Sequence, residues 1–158
     1  MKHYLLILFL GMVCWSFAMR NLGDDEYFMT TQSATTASVI SARQKALLFA
    51  KNTLATMVNG KVANVAKSYI EHNSEIGKSA DDFMTETRMT ANMLLQNVTV
   101  ADENVIQEKN GRYTVYITLK LKKNEVLNTL CKKLTENKVD KDIFQKEVFT
   151  DLWEKENK

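Results

Sequence analysis

Few residues of this sequence belong to the types that perform chemistry, and they are scattered along the chain. Apart from His3, the sequence has one histidine, His72, which directly follows Glu71. Adjacent side chains diverge on a helix and point to opposite faces of a strand, so this pair does not predict a catalytic dyad. Asp81 and Asp82 stand where a predicted helix begins, and acidic residues there complement the helix dipole. A structural role therefore explains these two carboxylates better than catalysis does.

The remaining inventory of reactive groups also argues against catalysis. Cys131 lies on the apolar side of a predicted helix, where cysteine behaves as a small hydrophobic residue. No second cysteine or histidine stands near it to form a zinc site or an activated nucleophile. The five glycines do not cluster into a phosphate-binding loop. The sequence therefore predicts a protein that is not an enzyme, with no catalytic residues, no cofactor and no metal.

The charge balance excludes a further class of protein. The chain of 158 residues has 21 basic and 19 acidic residues, which gives a formal net charge of +2. Dedicated nucleic-acid-binding domains are usually strongly basic, so no nucleic-acid partner is predicted. The composition is otherwise typical of a globular protein of one or two domains, with 45% hydrophobic and 25% charged residues.

The N-terminus has the three parts of a secretory signal peptide. A basic start at Met1–His3 precedes an uncharged apolar run, Tyr4–Val13, and the small residues Ser16 and Ala18 follow it. The apolar stretch is shorter than the roughly 20 residues that a membrane span needs. We therefore expect residues 1–18 to be removed during export.

Cys14 raises the alternative of a lipoprotein. A lipobox requires a small residue immediately before the acylated cysteine, and this sequence has Val13 there. Lipidation of Cys14 is thus the weaker hypothesis, and we expect attachment to a membrane only if Cys14 carries a lipid.

The helices and strands after the signal peptide are predicted from hydrophobic periodicity and from residues that end helices. Residues 19–32 are interpreted as a leader, in which Tyr27-Phe28-Met29 gives a weak signal for a short strand. Ser33–Val58 is interpreted as an alanine-rich helix that ends at Asn59-Gly60. Lys61–His72 fits both a helix and a strand, and its period favours the helix. One stripe of the first helix has small side chains every four residues, which allows close packing on a sheet or another helix: Ala42, Ala46 and Ala50.

The clearest β signal is a hairpin. Val98–Lys109 and Arg112–Lys122 flank Asn110-Gly111, a favoured two-residue turn. Apolar residues alternate along the second strand, so one of its faces is predicted to be buried. The other face has Tyr116 and Lys120, which suit contact with an anionic polymer or a partner, although protection of an edge strand or surface solubility explains them better.

Three more helices are expected. Ser79–Asn97 has an apolar side that includes Met84, Met89 and Met93, which is typical of a protein core and occasionally of an adaptable binding surface. A third helix is predicted from Asn124 and a last one from Asp140. The apolar side of the last helix is expected to pack on the domain itself or on a partner, and it includes Phe144, Val148, Leu152 and Trp153.

The order of these elements resembles that of a known family. An alanine-rich helix from Ser41-Ala42-Arg43-Gln44-Lys45-Ala46 leads to a valine-rich segment, a second helix and a hairpin that ends in Gly111–Leu119. This pattern, over about Ala34–Leu134, resembles the twenty-kilodalton LPP-type lipoproteins of bacterial envelopes. The resemblance implies a small α+β domain in the periplasm or at the outer membrane of a Gram-negative bacterium. It also implies that Lys61–His72 is a strand, and it supplies no catalytic residue.

Together these features predict an α+β fold, with residues 33–158 forming one domain in which a small antiparallel sheet packs against helices. The predicted function is that of an exported, non-enzymatic envelope protein that acts through contacts with an envelope protein. The predicted contact surface comprises Phe144, Val148, Leu152, Trp153, Tyr116 and Lys120. The alternative is a periplasmic module that binds a small apolar or anionic ligand between the sheet and the methionine-bearing helix. The partner and the oligomeric state remain open.

Overall fold

The predicted α+β architecture is confirmed. The computed structural model describes residues 26–73, 80–136 and 144–156. Within these ranges the chain forms a three-stranded antiparallel sheet and four helices. The elements in chain order are β1 (Tyr27–Thr36), α1 (Val39–His72), α2 (Ala80–Gln96), β2 (Val100–Gln107), β3 (Tyr113–Lys122), α3 (Lys123–Glu136) and α4 (Lys146–Lys155).

Strand β3 is the centre of the sheet and pairs with both other strands. The order is β1-β3-β2, with Ser33 of β1 and Asn104 of β2 both opposite Tyr116 of β3. The alternation predicted for β3 is confirmed, since its inward-facing side chains are buried from Val115 to Leu121. The sheet therefore has a buried inner face and an outer face that contains Tyr116.

The hairpin between β2 and β3 is formed as predicted, but its loop is one residue longer. The Gly111 amide donates to the Glu108 carbonyl (3.0 Å) and the Glu108 amide donates to the Arg112 carbonyl (2.8 Å). The loop thus comprises Lys109, Asn110 and Gly111. Gly111 has φ of +78°, which matches the three-residue hairpin loops that end in a left-handed residue.

The leader predicted for residues 19–32 is wrong from Tyr27 onward. Tyr27–Thr36 forms β1, which pairs with the whole of β3 from Tyr27 opposite Lys122 to Thr36 opposite Tyr113. The strand is difficult to recognise because its second half is polar. Long-range pairing with the apolar β3 supplies the stability that its own sequence does not indicate.

Helix α1 is a single helix of 34 residues, so the predicted stop at Asn59-Gly60 is wrong. Gly60 lies in the helix interior, where glycine costs only about 0.5–1 kcal/mol relative to alanine. Val58 and Val62 on either side are buried, and their packing outweighs that cost. Lys61–His72 is helical, as the period predicts and contrary to the strand that the family resemblance implies.

The N-terminal part of α1 lies on the inner face of the sheet through its small-residue stripe. Ala42, Ala46 and Ala50 are completely buried, which confirms the close packing predicted from their spacing. At about 1.5 Å per residue α1 is roughly 51 Å long, whereas the ten residues of β1 span roughly 33 Å. The C-terminal third of α1 thus extends past the sheet and is covered by other helices.

Helices α2, α3 and α4 complete the core around α1. The apolar side predicted for α3 is confirmed, because all five of its predicted members are buried: Val126, Leu127, Leu130, Cys131 and Leu134. On α2 the core is formed by Phe83 and Ala91, while Met89 and Met93 are exposed. None of the helices in the described ranges has both the length and the hydropathy that a membrane span requires.

Candidate functional site

The C-terminal helix is part of the core and does not form the predicted contact surface. Trp153 is 1% exposed and Leu152 is 9% exposed, while Phe144 and Val148 are half-buried against the core. The burial of Leu152 and Trp153 contradicts their place in the predicted interaction surface, whereas Phe144 and Val148 remain partly exposed. The sequence predicted that the apolar side of α4 packs either on a partner or on the domain itself. In the structure it packs on α1.

An aromatic cluster holds this C-terminal segment on the end of α1. The buried Tyr69 ring lies 5.2 Å from the Phe83 ring and 5.6 Å from both the Phe144 and the Phe149 rings, measured between centroids. The Tyr69 hydroxyl accepts a hydrogen bond from the backbone amide of Gln145 (2.7 Å). The cluster explains why Phe144, one of the predicted surface residues, is only partly exposed.

Tyr116 and Lys120, the two other predicted contact residues, do lie on the surface. Both point to the outer face of the sheet, where Tyr116 is 39% exposed and Lys120 is also exposed. Tyr116 is in the middle of the central strand, opposite Ser33 on β1. Two of the six predicted contact residues are thus exposed, and they lie on the same face of the sheet.

Hydroxyl groups surround Tyr116 on this outer face. Thr31 and Thr118 share a hydrogen bond between their Oγ1 atoms (2.8 Å), and so do Thr35 and Thr114 (2.7 Å). These pairs join β1 to β3 on both sides of Tyr116 and fix the side chains around it. The outer face is therefore a rigid, polar surface with an aromatic residue at its centre.

At one end of the sheet the outer face becomes cationic. Lys120 Nζ lies 6.0 Å and Lys122 Nζ 5.9 Å from the centroid of the Tyr27 ring. Next to Tyr27 is an open recess of about 530 Å³, lined by Tyr27, Phe28, Met29, Met57, Lys61, Lys123 and Glu156. We call it the lysine recess.

Two lysines of the recess lie above aromatic rings of the core. Lys61 Nζ is 5.5 Å from the centroid of the Trp153 ring, and Lys123 Nζ is 5.8 Å from that of Phe28. Phe28 and Trp153 in turn meet edge to face at 6.3 Å. The two ammonium groups and the two rings thus form one connected cluster below the end of β1.

The ammonium group of Lys61 is in an unusual position. Its Nζ is shielded from solvent and has no hydrogen-bond partner among the described residues. Loss of hydration on burial lowers the pKa of Lys61 below its ordinary value of 10.5, Glu156 opposes this shift, and Lys123 adds to it. Lys61 is therefore a cation that lacks an acceptor.

Sequence reasoning missed the lysine recess because its residues come from β1, α1, α3 and the end of α4. A local signal does exist at Lys61, since it stands between the buried positions Val58 and Val62 of α1. A lysine beside such a stripe extends its apolar stem along the core. The partners of that lysine depend on β1, for which the sequence gives only a weak signal at Tyr27-Phe28-Met29.

The residues considered for catalysis are not brought together. Glu71 and His72 are both exposed at the end of α1. Cys131 is 3% exposed, and burial raises the pKa of its thiol, which keeps it protonated and unreactive at neutral pH. Within the described ranges no three His, Cys, Asp or Glu residues are grouped as metal ligands.

The predicted signal peptide and Cys14 lie outside the described residues. Comparison of the chain with protein-family models, with curated proteins and with solved structures finds no match. The functional argument therefore depends on the surfaces described above.

Proposed function

We propose that this chain is an exported, non-enzymatic protein of the bacterial envelope that acts through the outer face of its sheet. The partner we infer is an envelope protein with acidic side chains opposite Lys120 and Lys122. One observation carries the proposal: α1 covers the inner face of β1 and β3, and the opposite face presents Tyr116 with its hydroxyl and lysine neighbours to solvent.

The composition of this face supports contact with a protein. Tyrosine at the centre of a surface supplies a large contact area at a low cost in side-chain entropy, and hydroxyl groups around it form adaptable hydrogen bonds. The threonine pairs hold that surround in place before any partner arrives. Lys120 and Lys122 add a charge that favours an acidic partner and speeds association.

The lack of a catalytic arrangement in the described residues supports a binding role. Glu71 and His72 are in solvent at a helix end, and Cys131 is in the core. Binding through a preformed surface requires no reactive group. The alternative hypothesis of a ligand-binding module predicted a pocket lined by Met84, Met89 or Met93; Met89 and Met93 are exposed, and Met84 packs against the core.

Export is tested by the mass of the mature protein. We expect the chain in a periplasmic or outer-membrane fraction to begin at Met19, as cleavage after Ala18 predicts. A diacylated N-terminus at Cys14 would place the protein among the lipoproteins instead. Recovery of the chain from the cytosol with Met1 intact would refute export.

The contact surface is tested with two matched double variants. Tyr116→Ala with Lys120→Glu alters the outer face, whereas Leu48→Ala with Lys45→Glu makes similar changes at exposed positions of α1. We expect the protein that co-purifies with the wild type from envelope extracts to be lost only with the outer-face variant. Equal retention by both variants, each shown to be folded, would contradict the proposal.

A further inference from the structure

We propose that the lysine recess binds a free amphipathic anion, which has one carboxylate or phosphate head on an apolar chain. The inference does not depend on the proposed function, because it concerns a small molecule and depends on Lys61 and Lys123, which are not contact residues of the outer face. It depends on three properties of the recess: donors without acceptors, apolar walls and size.

The first property is a local excess of hydrogen-bond donors. Lys61 Nζ and Trp153 Nε1 are both shielded from solvent and without a partner among the described residues, and Nζ lies 5.5 Å from the Trp153 ring centroid. Buried donors are normally satisfied, so such a pair is uncommon in a folded protein. Of these two donors, Lys61 lines the recess, and the group that it lacks is an acceptor. Carboxylate and phosphate oxygens are acceptors only.

The charges around the recess favour an anionic acceptor. Lys61 and Lys123 both line it, and Lys120 and Lys122 lie near the Tyr27 ring at its rim. Glu156 is the one acid among those lining residues that the structure describes, and it is exposed. No ion pair within 4.0 Å joins Glu156 to Lys61 in the described structure, so the Glu156 carboxylate does not serve as the acceptor for the Lys61 ammonium.

The second property is the apolar wall beside these cations. Phe28, Met29 and Met57 line the recess together with the Tyr27 ring. Met57 is 41% exposed, a large apolar surface for a residue next to two lysines. Methionine side chains adapt to ligands of different shape, so this wall suits an alkyl or similar chain.

The third property is size. A recess of about 530 Å³ falls within the range of roughly 300–1,000 Å³ that is usual for small-molecule sites. The depth of Lys61 argues for a free molecule over a bilayer lipid. Its Nζ is shielded from solvent, so contact requires the flexible lysine side chain to turn toward an anion inside the recess, whereas a headgroup held in a membrane surface stays outside the recess.

The test is a calorimetric titration of the full chain with decanoate. Decanol has the same chain length without the charge, and acetate has the charge without the chain. We expect decanoate to bind with one-to-one stoichiometry and both other compounds to bind at least tenfold more weakly. Equal binding of decanol and decanoate would contradict a role for the cations.

A lysine variant makes the test specific to the recess. Lys61→Met removes the charge and keeps an apolar stem, so it is expected to fold, which thermal unfolding verifies. We expect its affinity for decanoate to fall at least tenfold, while Lys61→Arg retains most of the binding. Lys67→Met is the control, because Lys67 is an exposed lysine on the same helix.

Two outcomes would overturn the proposal. One is wild-type affinity for decanoate in folded Lys61→Met. The other is no binding of decanoate by the wild type, together with binding to phosphatidylglycerol vesicles that Lys61→Met abolishes, because the recess would then recognise a membrane lipid and not a free anion. The Lys61→Met and Lys67→Met variants leave Tyr116 and Lys120 unchanged, so their titrations are independent of the co-purification test of the outer face, and the two proposals fail separately.

Discussion

Lys61 shows how one residue can combine a stability cost with a potential for binding. Its aliphatic stem lies in the region between α1 and α4, and its ammonium lies above the Trp153 ring without an acceptor. Burial of an unpaired charge costs free energy, because hydration is lost and no ion pair replaces it. Such a cost is expected at functional sites more than in ordinary packing.

The lowered pKa of Lys61 predicts a specific dependence of stability on pH. Between the folded pKa and the ordinary value of 10.5, the unfolded chain binds more protons at this residue than the folded chain does. The free energy of unfolding of the wild type should therefore rise relative to that of Lys61→Met as the pH increases through this window. Urea denaturation of both proteins from pH 7 to 10.5 measures the difference.

Lys67→Met again serves as the control for this prediction. Lys67 is exposed on α1, so its replacement should leave the difference in unfolding free energy nearly constant over the same pH range. A difference between wild type and Lys61→Met that stays flat, or falls as the pH rises, would show that burial does not lower the pKa of Lys61.

Among the elements, those with local signals were predictable and those that depend on distant packing were not. The alternation in β3, the Asn110-Gly111 turn and the apolar side of α3 are each encoded within about a dozen residues, and the structure contains all three. Strand β1 was missed because its polar half is stabilised by β3, which lies almost ninety residues later. Within the candidate site, Tyr116 and Lys120 were predicted from the alternation, whereas the recess depends on β1.

In helix α1 a local signal was misleading, because packing against distant elements keeps the helix continuous through Gly60. This continuity leads to a prediction about two glycines. Gly60 is exposed within α1, and a Cβ added there would meet no atom within 4 Å. Gly60→Ala should therefore raise the free energy of unfolding by about 0.5–1 kcal/mol, as alanine loses less backbone entropy in a helix. Chemical denaturation measures this change.

Gly111 is the matched control for Gly60. A Cβ at Gly111 also meets no atom within 4 Å, but its φ is +78°. Alanine in this left-handed conformation is strained, so Gly111→Ala should lower the free energy of unfolding by about 1–2 kcal/mol. Substitutions that destabilise at both positions would contradict the continuity of α1 through Gly60.

At the scale of the whole molecule, the C-terminal segment is expected to be essential for stability. Phe149 is completely buried in the aromatic cluster with Tyr69 and Phe144. Phe149→Ala should cost about 3–5 kcal/mol, a large part of the roughly 5–15 kcal/mol that stabilises a typical domain. Phe49→Ala is the control, because Phe49 is 47% exposed and its loss should change stability by no more than about 0.5 kcal/mol.

The division of the molecule into a closed helical side and an open sheet face is the basis of the proposed function. The apolar side of α4 is used inside the domain, which leaves Tyr116 and Lys120 as the predicted contact residues that are available to a partner. The sequence periodicity predicted most of the contact residues on the C-terminal helix. The proposed binding role instead depends on residues at the centre of the sheet.

The most direct measurement is crosslinking within intact envelopes, with a photoreactive phenylalanine analogue placed either at Tyr116 or at Phe49. Both side chains are partly exposed, Tyr116 on the outer face and Phe49 on α1. We expect one discrete protein adduct from position 116 that Lys120→Glu weakens, and no such adduct from position 49. Absence of an adduct at position 116, or the same adduct from both positions, would contradict a partner at the outer face.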